Sequence, residues 1–131
     1  MKINIIGAGL AGCECANYLA NKGYEVYLYE KRPKYTSPAH HTDLFGELVC
    51  SNSLKNKKLD NACGLLKEEI KHLGSLMMEA SEVSKVPSGD SLAVDRTVFA
   101  SYITNKIKEN KNIKIFNEDV NDFKEGINVI C

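Results

Sequence analysis

The period of the apolar positions changes several times along the chain, and each change predicts an element. The opening "KINIIG" is a short run rich in β-branched residues that stops at a glycine, which predicts a buried parallel strand. From Gly12 the spacing becomes helical: Gly12, Ala16, Leu19 and Ala20 fall at i, i+4, i+7 and i+8. That face of small residues can lie close on a sheet, and Gly23 is placed to end the helix. "EVYLYE" then reads as a second strand. Strand, helix and strand within residues 1–30 predict a right-handed βαβ unit.

From Lys31 to Lys58 the periodicity is lost. Pro33, Pro38, two adjacent histidines and several Ser and Asn residues predict a long irregular excursion, interrupted by a short "ELVCS" segment. Long ordered loops in compact domains are usually functional. Residues 59–131 return to regular patterns. A helix is predicted to begin after Asp60 or Asn61, with Leu66, Ile70, Leu73 and Met77 on one face and Gly74 at its weakening end. "SLAVD" reads as extended. A third helix, capped near Asp95, is expected to turn Phe99, Tyr102, Ile103 and Ile107 inward. "NIKIFNEDV" and "INVIC" supply further strands, and the chain stops on the second of them. The expected fold is α/β and Rossmann-like, with a central parallel sheet that is incomplete: residues 1–131 read as the amino-terminal part of a larger domain.

Composition narrows the function classes. The 131 residues suffice for one domain, and 44% hydrophobic content can fill its core. Lys plus Arg and Asp plus Glu both number 17, so no global positive field gathers nucleic acid or anionic lipid, and any RNA contact must be local. No apolar run reaches the length of a bilayer span and no secretory signal opens the chain, which predicts a cytoplasmic protein without a membrane partner. Five cysteines without a C-x-x-C pair suit reduced thiols, and the adjacent His40 and His41 lack the second ligand pair that a metal site needs.

The sharpest chemical signal is "GAGLAG", with Gly7, Gly9 and Gly12 at the G-x-G-x-x-G spacing. Gly7 permits the tight turn from strand to helix, Gly9 lets a pyrophosphate approach the backbone, and Gly12 lets helix and strand pack closely. The helix start then offers unpaired N–H groups and a partial positive charge. Glu30, 18 residues past Gly12 at the end of the second strand, is placed to accept hydrogen bonds from a ribose. A carboxylate there disfavours a 2′-phosphate, which leaves FAD or NAD.

The stretch "PAHHTDLFGELVCSNSLKNKKLDNACGLLK", with "YEKRP" before it and "GLLKEEI" and "LAVDR" after "LVCSNSL", resembles the folate- and FAD-dependent tRNA (uracil-5-)-methyltransferase family, called TrmFO. The resemblance implies FAD as cofactor and methylenetetrahydrofolate and NAD(P)H as co-substrates, with tRNA as partner and C5 of a T-loop uridine as target. It places the FAD loop on Gly7, Ala8, Gly9, Leu10, Ala11 and Gly12, the ribose on Glu30, and Lys31 and Arg32 beside the adenosine. It places the catalytic cysteine on Cys50, whose thiolate would add to C6 of the uracil, with a methylene group carried on the flavin as electrophile. Read without the resemblance, a cysteine in "LVC" is more often a small buried hydrophobe than a nucleophile.

Other residues keep open readings. His40 and His41 suit folate, an RNA phosphate, a place beside Cys50, or an exposed loop. Lys55, Lys57 and Lys58 form the compact basic cluster, read as a solvated face or an RNA contact, while Cys13, Cys15 and Cys63 read as packing residues. Family members are much longer, with a second cofactor-binding segment, an RNA-facing domain and a further cysteine. The isolated 131 residues are therefore expected to bind FAD weakly and not to methylate RNA. Alternatives are a paralogue acting on large ribosomal RNA, a wobble-uridine flavoprotein, a truncated non-catalytic nucleotide-binding fragment and, least suited to the long excursion, a generic NAD-dependent oxidoreductase.

Overall fold

In strand β1 (Ile3–Ile6), Ile3 and Ile5 enter the core while Asn4 lies buried on the other face. Its amide nitrogen donates to the carbonyls of Glu125 and Ile127. Helix α1 (Leu10–Asn21) follows, with Cys13, Ala16 and Ala20 turned to the sheet, and strand β2 (Val26–Tyr29) pairs parallel with β1. A computed structural model describes all of residues 1–131.

The main sheet is completed by β6 (Ile113–Phe116) beside β2 and β7 (Ile127–Ile130) beside β1, giving the parallel order β6-β2-β1-β7. The chain thus builds outward from β1 through β2 to β6, then crosses back to the far side of β1. The strand order reverses between β1 and β7, and in an open α/β sheet the carboxyl ends at such a point form the ligand crevice. Before β6 the chain forms β3 (Ser53–Asn56), α2 (Ala62–His72), α3 (Leu76–Ser84), β4 (Lys85–Val86), β5 (Ser91–Val94) and α4 (Arg96–Glu109). Strands β3 and β4 flank β5 in a small antiparallel sheet. Helices α1 and α4 pack on the main sheet and α3 packs on both, so that Phe99, Ile103, Ile107, Leu76 and Ala80 join Ile3, Ile5, Val26 and Leu28 in one core. No helix is long and apolar enough to cross a membrane.

The predicted βαβ unit and the strands at "SLAVD", "NIKIF" and "INVI" form. So do the caps. Asn61 accepts from the Cys63 amide at the start of α2, and Asp95 accepts from the Val98 amide at the start of α4. Two expectations differ from the structure. The helix expected to carry its face through Met77 ends near Leu73, because Gly74 takes φ +78° and Ser75 starts a separate helix. Glu14 of α1 reaches across to accept from the amides of Leu76 and Met77 and from the Ser75 hydroxyl, so a contact distant in sequence makes the break. On the shared face of α2, Leu66 is 57% and Leu73 68% exposed. Tyr102 packs half-buried against the core, its hydroxyl donating to Glu79. "ELVCS" forms no regular element, and the nearby strand begins at Ser53.

Phe99 is fully buried where α4 meets the sheet. Phe99→Ala should cost about 3–5 kcal/mol in urea unfolding, whereas Leu66→Ala, on the exposed face of α2, should change stability by about 0.5 kcal/mol or less.

Candidate functional site

Beyond β1 the chain turns at Gly7, with φ +109° and its amide donating to the Tyr29 carbonyl at 2.8 Å. A Cβ on Gly12 would stand 1.8 Å from the Gly7 carbonyl oxygen, and one on Gly7 would stand 2.5 Å from the Cys131 carbonyl oxygen. The chain itself therefore requires both glycines. Gly9 differs. Its φ of −76° suits any residue, and a Cβ there meets nothing within 4 Å. The space that Gly9 leaves open is on the ligand side of the turn. No side chain caps α1, its first turn holds no acid, and the amides of Leu10, Ala11 and Gly12 have no acceptor in the chain. A positive helix end with open donors suits a diphosphate.

The cavity in front of this turn has a volume of about 350 Å³ and includes Gly7, Ala8, Gly9, Glu30, Lys31 and His40 in its lining. It lies where β1 and β7 end, at the reversal of strand order. Glu30 is only 6% exposed and faces the loop: Oε2 accepts from the Ala8 amide at 3.1 Å and from Arg32 Nη2 at 3.2 Å. Oε1 accepts from Arg32 N at 3.0 Å and Nε at 3.1 Å. Burial works to raise this carboxyl, but the hydrogen bonds and charge of Arg32 and the Ala8 amide outweigh it and hold the group below its ordinary value of 4.5. Those four donors occupy the carboxylate.

Arg32, expected beside an adenosine, is among the residues lining that cavity and is 3% exposed. Its guanidinium is spent on Glu30, on Glu47 Oε2 at 3.0 Å and on the Thr42 carbonyl at 3.2 Å. The physical reason is that two carboxylates buried at 8% and 9% side-chain exposure need a cation between them. Glu47, which the sequence did not single out, also accepts from the amides of His41 and Thr42, and so fixes the excursion to the ribose-side acid. Further on, the Gly46 amide donates to the Ala8 carbonyl and the Phe45 amide to Thr104. Lys31 is exposed at the cavity rim.

Cys50 is exposed. It lines an apolar groove of about 610 Å³ with Leu10, Leu54, Cys63, Leu66 and Ile70. Leu10 is the first residue of α1, so the thiol's groove and the phosphate turn share one helix end. Cys63, expected as packing, is half-buried in that same groove. Neither histidine is among the groove's lining residues: His40 lies in the nucleotide cavity, its Nδ1 2.7 Å from Ser37 Oγ, and His41 lies on another surface. Cys13 is fully buried, its thiol pushed up to about 12 by burial and by Glu30. Of the basic cluster, Lys58 pairs with Asp90 at 2.9 Å, while Lys55 and Lys57 line separate cavities.

A parallel sheet with a glycine turn, an uncapped helix end and a carboxylate converging at its order reversal defines the dinucleotide-binding α/β class. The chain belongs to the Glucose inhibited division protein A family, whose pattern matches residues 2–131. Among curated proteins, the methylenetetrahydrofolate–tRNA-(uracil-5-)-methyltransferase TrmFO of Acetivibrio thermocellus is 53% identical over 130 residues, 98% of this chain and 30% of its own. The protein of the same name from Acholeplasma laidlawii is 58% identical over 118 residues, 90% of this chain and 28% of its own. The chain thus spans about 30% of the length of such relatives. Among solved structures, GidA of Aquifex aeolicus superposes with a TM-score of 0.69 at 18% identity, covering 88% of this chain and 19% of that one. THI4 of Thermovibrio ammonificans superposes at 0.54 and 19%, covering 88% and 37%. Both show the fold.

Gly9→Ala should cost no more than about 1 kcal/mol in stability yet weaken FAD binding by about tenfold or more, read by fluorescence titration. Gly12→Ala should instead lose about 3 kcal/mol or more, because its Cβ meets backbone. The stability that Glu30 contributes is present above its ordinary value of 4.5 and is lost as pH falls through its lowered native value. Urea midpoints of Glu30→Gln should therefore fall less steeply than wild type across that acid window.

Proposed function

We propose that the chain forms the FAD-holding part of a flavoprotein that methylates C5 of a T-loop uridine in tRNA. Methylenetetrahydrofolate is the carbon donor and NAD(P)H the reductant. The observation that carries this reading is the exposed Cys50 thiol in an apolar groove walled by Leu10, the residue that opens the phosphate-side helix. The names of the relatives at 53% and 58% identity support the same chemistry.

The residues present fit FAD, since Gly9 leaves its Cβ direction open and the amides of Leu10, Ala11 and Gly12 await acceptors. These amides would hold the diphosphate, and Glu30 the ribose as Arg32 yields. When bound, FAD supplies the electrons that convert the one-carbon unit from the methylene to the methyl level. The Cys50 thiolate adds to C6 of the uracil, forming an S–C6 bond and moving the C5=C6 electron pair onto the ring oxygen as an enolate. C5 then bonds to the one-carbon unit as that carbon's bond to its carrier nitrogen breaks and the nitrogen keeps the electron pair. Loss of the C5 proton to water and departure of the thiolate restore the ring double bond. The complete reaction is assigned to a protein of the relatives' length, and the isolated residues 1–131 are expected to bind FAD more weakly and leave RNA unmethylated.

Full-length protein given methylenetetrahydrofolate, NAD(P)H and an unmodified tRNA transcript should form 5-methyluridine. Cys50→Ala should lose about a thousandfold or more of that rate while retaining its flavin absorbance. Undiminished methylation by the variant would make Cys50 structural.

A further inference from the structure

Five of the lysines on this chain meet around α2. One cavity against the small sheet is lined by Lys57, Lys67, Lys71 and Lys85 with Glu68 and Glu82, and the Cys50 groove on the other side of the helix includes Lys55 and again Lys67. Several of these charges are already spent. Lys67 Nζ donates to the carbonyls of Asn56 and Cys63, Lys85 pairs with Glu82 at 2.9 Å, and Lys58 is held by Asp90. Lys55, Lys57 and Lys71 form no salt bridge.

Lys55 also stands apart in its backbone. It is the one non-glycine residue with positive φ, at 66°, and it sits in the β3–β5 ladder where the register shifts between Ser53 and Asn56. Its amide donates to Ser53 Oγ, which lies 2.8 Å from Ser91 Oγ on the neighbouring strand. A bulge of this kind re-aims a side chain, and a left-handed lysine persists only where its surroundings impose it. Here Lys55, exposed and without a salt bridge, is among the residues that line the groove holding Cys50.

We propose that Lys55, Lys57 and Lys71 form a phosphate track that carries an RNA strand around α2 and delivers a base to the Cys50 groove. This rests on the RNA-modifying reading above and adds the surface that reads the strand. An apolar groove flanked by unpaired cations fits a nucleotide: the flat base takes the groove and the backbone phosphates take the lysines. The track needs no net positive chain, consistent with equal numbers of acidic and basic residues. Lys71 had no place in the sequence cluster, and Lys58 leaves it.

The test measures binding of an end-labelled unmodified tRNA transcript to full-length, FAD-loaded protein by fluorescence anisotropy at several salt concentrations. Lys55→Gly, Lys57→Gln and Lys71→Gln should each lower the slope of log affinity against log salt by about one unit, with flavin content unchanged. Lys55→Gly removes the charge but suits the left-handed backbone, so its thermal midpoint should equal or exceed wild type. Lys58→Gln should bind RNA as wild type does. Slopes unchanged in all three track variants would overturn the proposal while leaving the methyltransferase reading intact. Failure of wild type to bind the transcript would overturn both. Displacement of the transcript by poly-glutamate as effective as that by unlabelled transcript would assign the track to an acidic protein and overturn it as well.

Discussion

The approach of α1 to the end of β1 is the contact from which the remaining geometry descends. With only a hydrogen at Gly12, the helix start lies against the Gly7 carbonyl, a gap that no side chain could enter. That closeness aims three amides without acceptors into the crevice. It also places Glu14, one turn further on, where it caps α3, and Leu10 where it walls the thiol's groove. A shift of the helix by the width of a methyl group would disturb the nucleotide cavity, the α3 cap and the groove together.

A second constraint is electrostatic. Glu30 and Glu47 share Arg32 in a nearly water-free position, and breaking such an arrangement leaves a carboxylate buried without compensation. The pairing therefore joins two parts of the chain that the sequence separates, the ribose-side end of β2 and the excursion that leads to Cys50. Arg32 grips the Thr42 carbonyl and Glu47, while Glu47 grips the amides of His41 and Thr42. Any movement of Arg32 that frees Glu30 for a sugar also bears on that loop. The end of β2 and the setting of the excursion are linked through one guanidinium.

The site divides its chemistry among surfaces that meet at helix ends. Backbone donors face the crevice, where charge is to be held without side-chain rearrangement. The thiol lies on a separate apolar surface, where a flat base finds dispersion contacts and little competition from water. Lysines with no salt-bridge partner stand along α2 and the small sheet, Lys57 and Lys71 in a separate cavity and Lys55 on the wall of the thiol's groove. The histidines take no part in the thiol's surface, so nothing on the groove wall besides Lys55, Lys67 and Glu47 carries charge toward it.

Local pattern alone determined the βαβ unit, the glycine turn, the helix caps at Asn61 and Asp95 and the main-sheet strands, because period, glycine placement and capping chemistry act over a few residues. The same short-range logic was enough to single out Gly7, Gly9, Gly12 and Glu30, whereas Cys50 was singled out by the resemblance to a known family. Tertiary structure decided what those residues face. It split the α2–α3 region through Glu14, exposed Leu66 and Leu73, drew Arg32 inward between two acids, and separated Lys58 from Lys55 and Lys57 while bringing Lys71 near. Burial and ion pairing depend on groups tens of residues apart, and neither leaves a periodic trace in the chain.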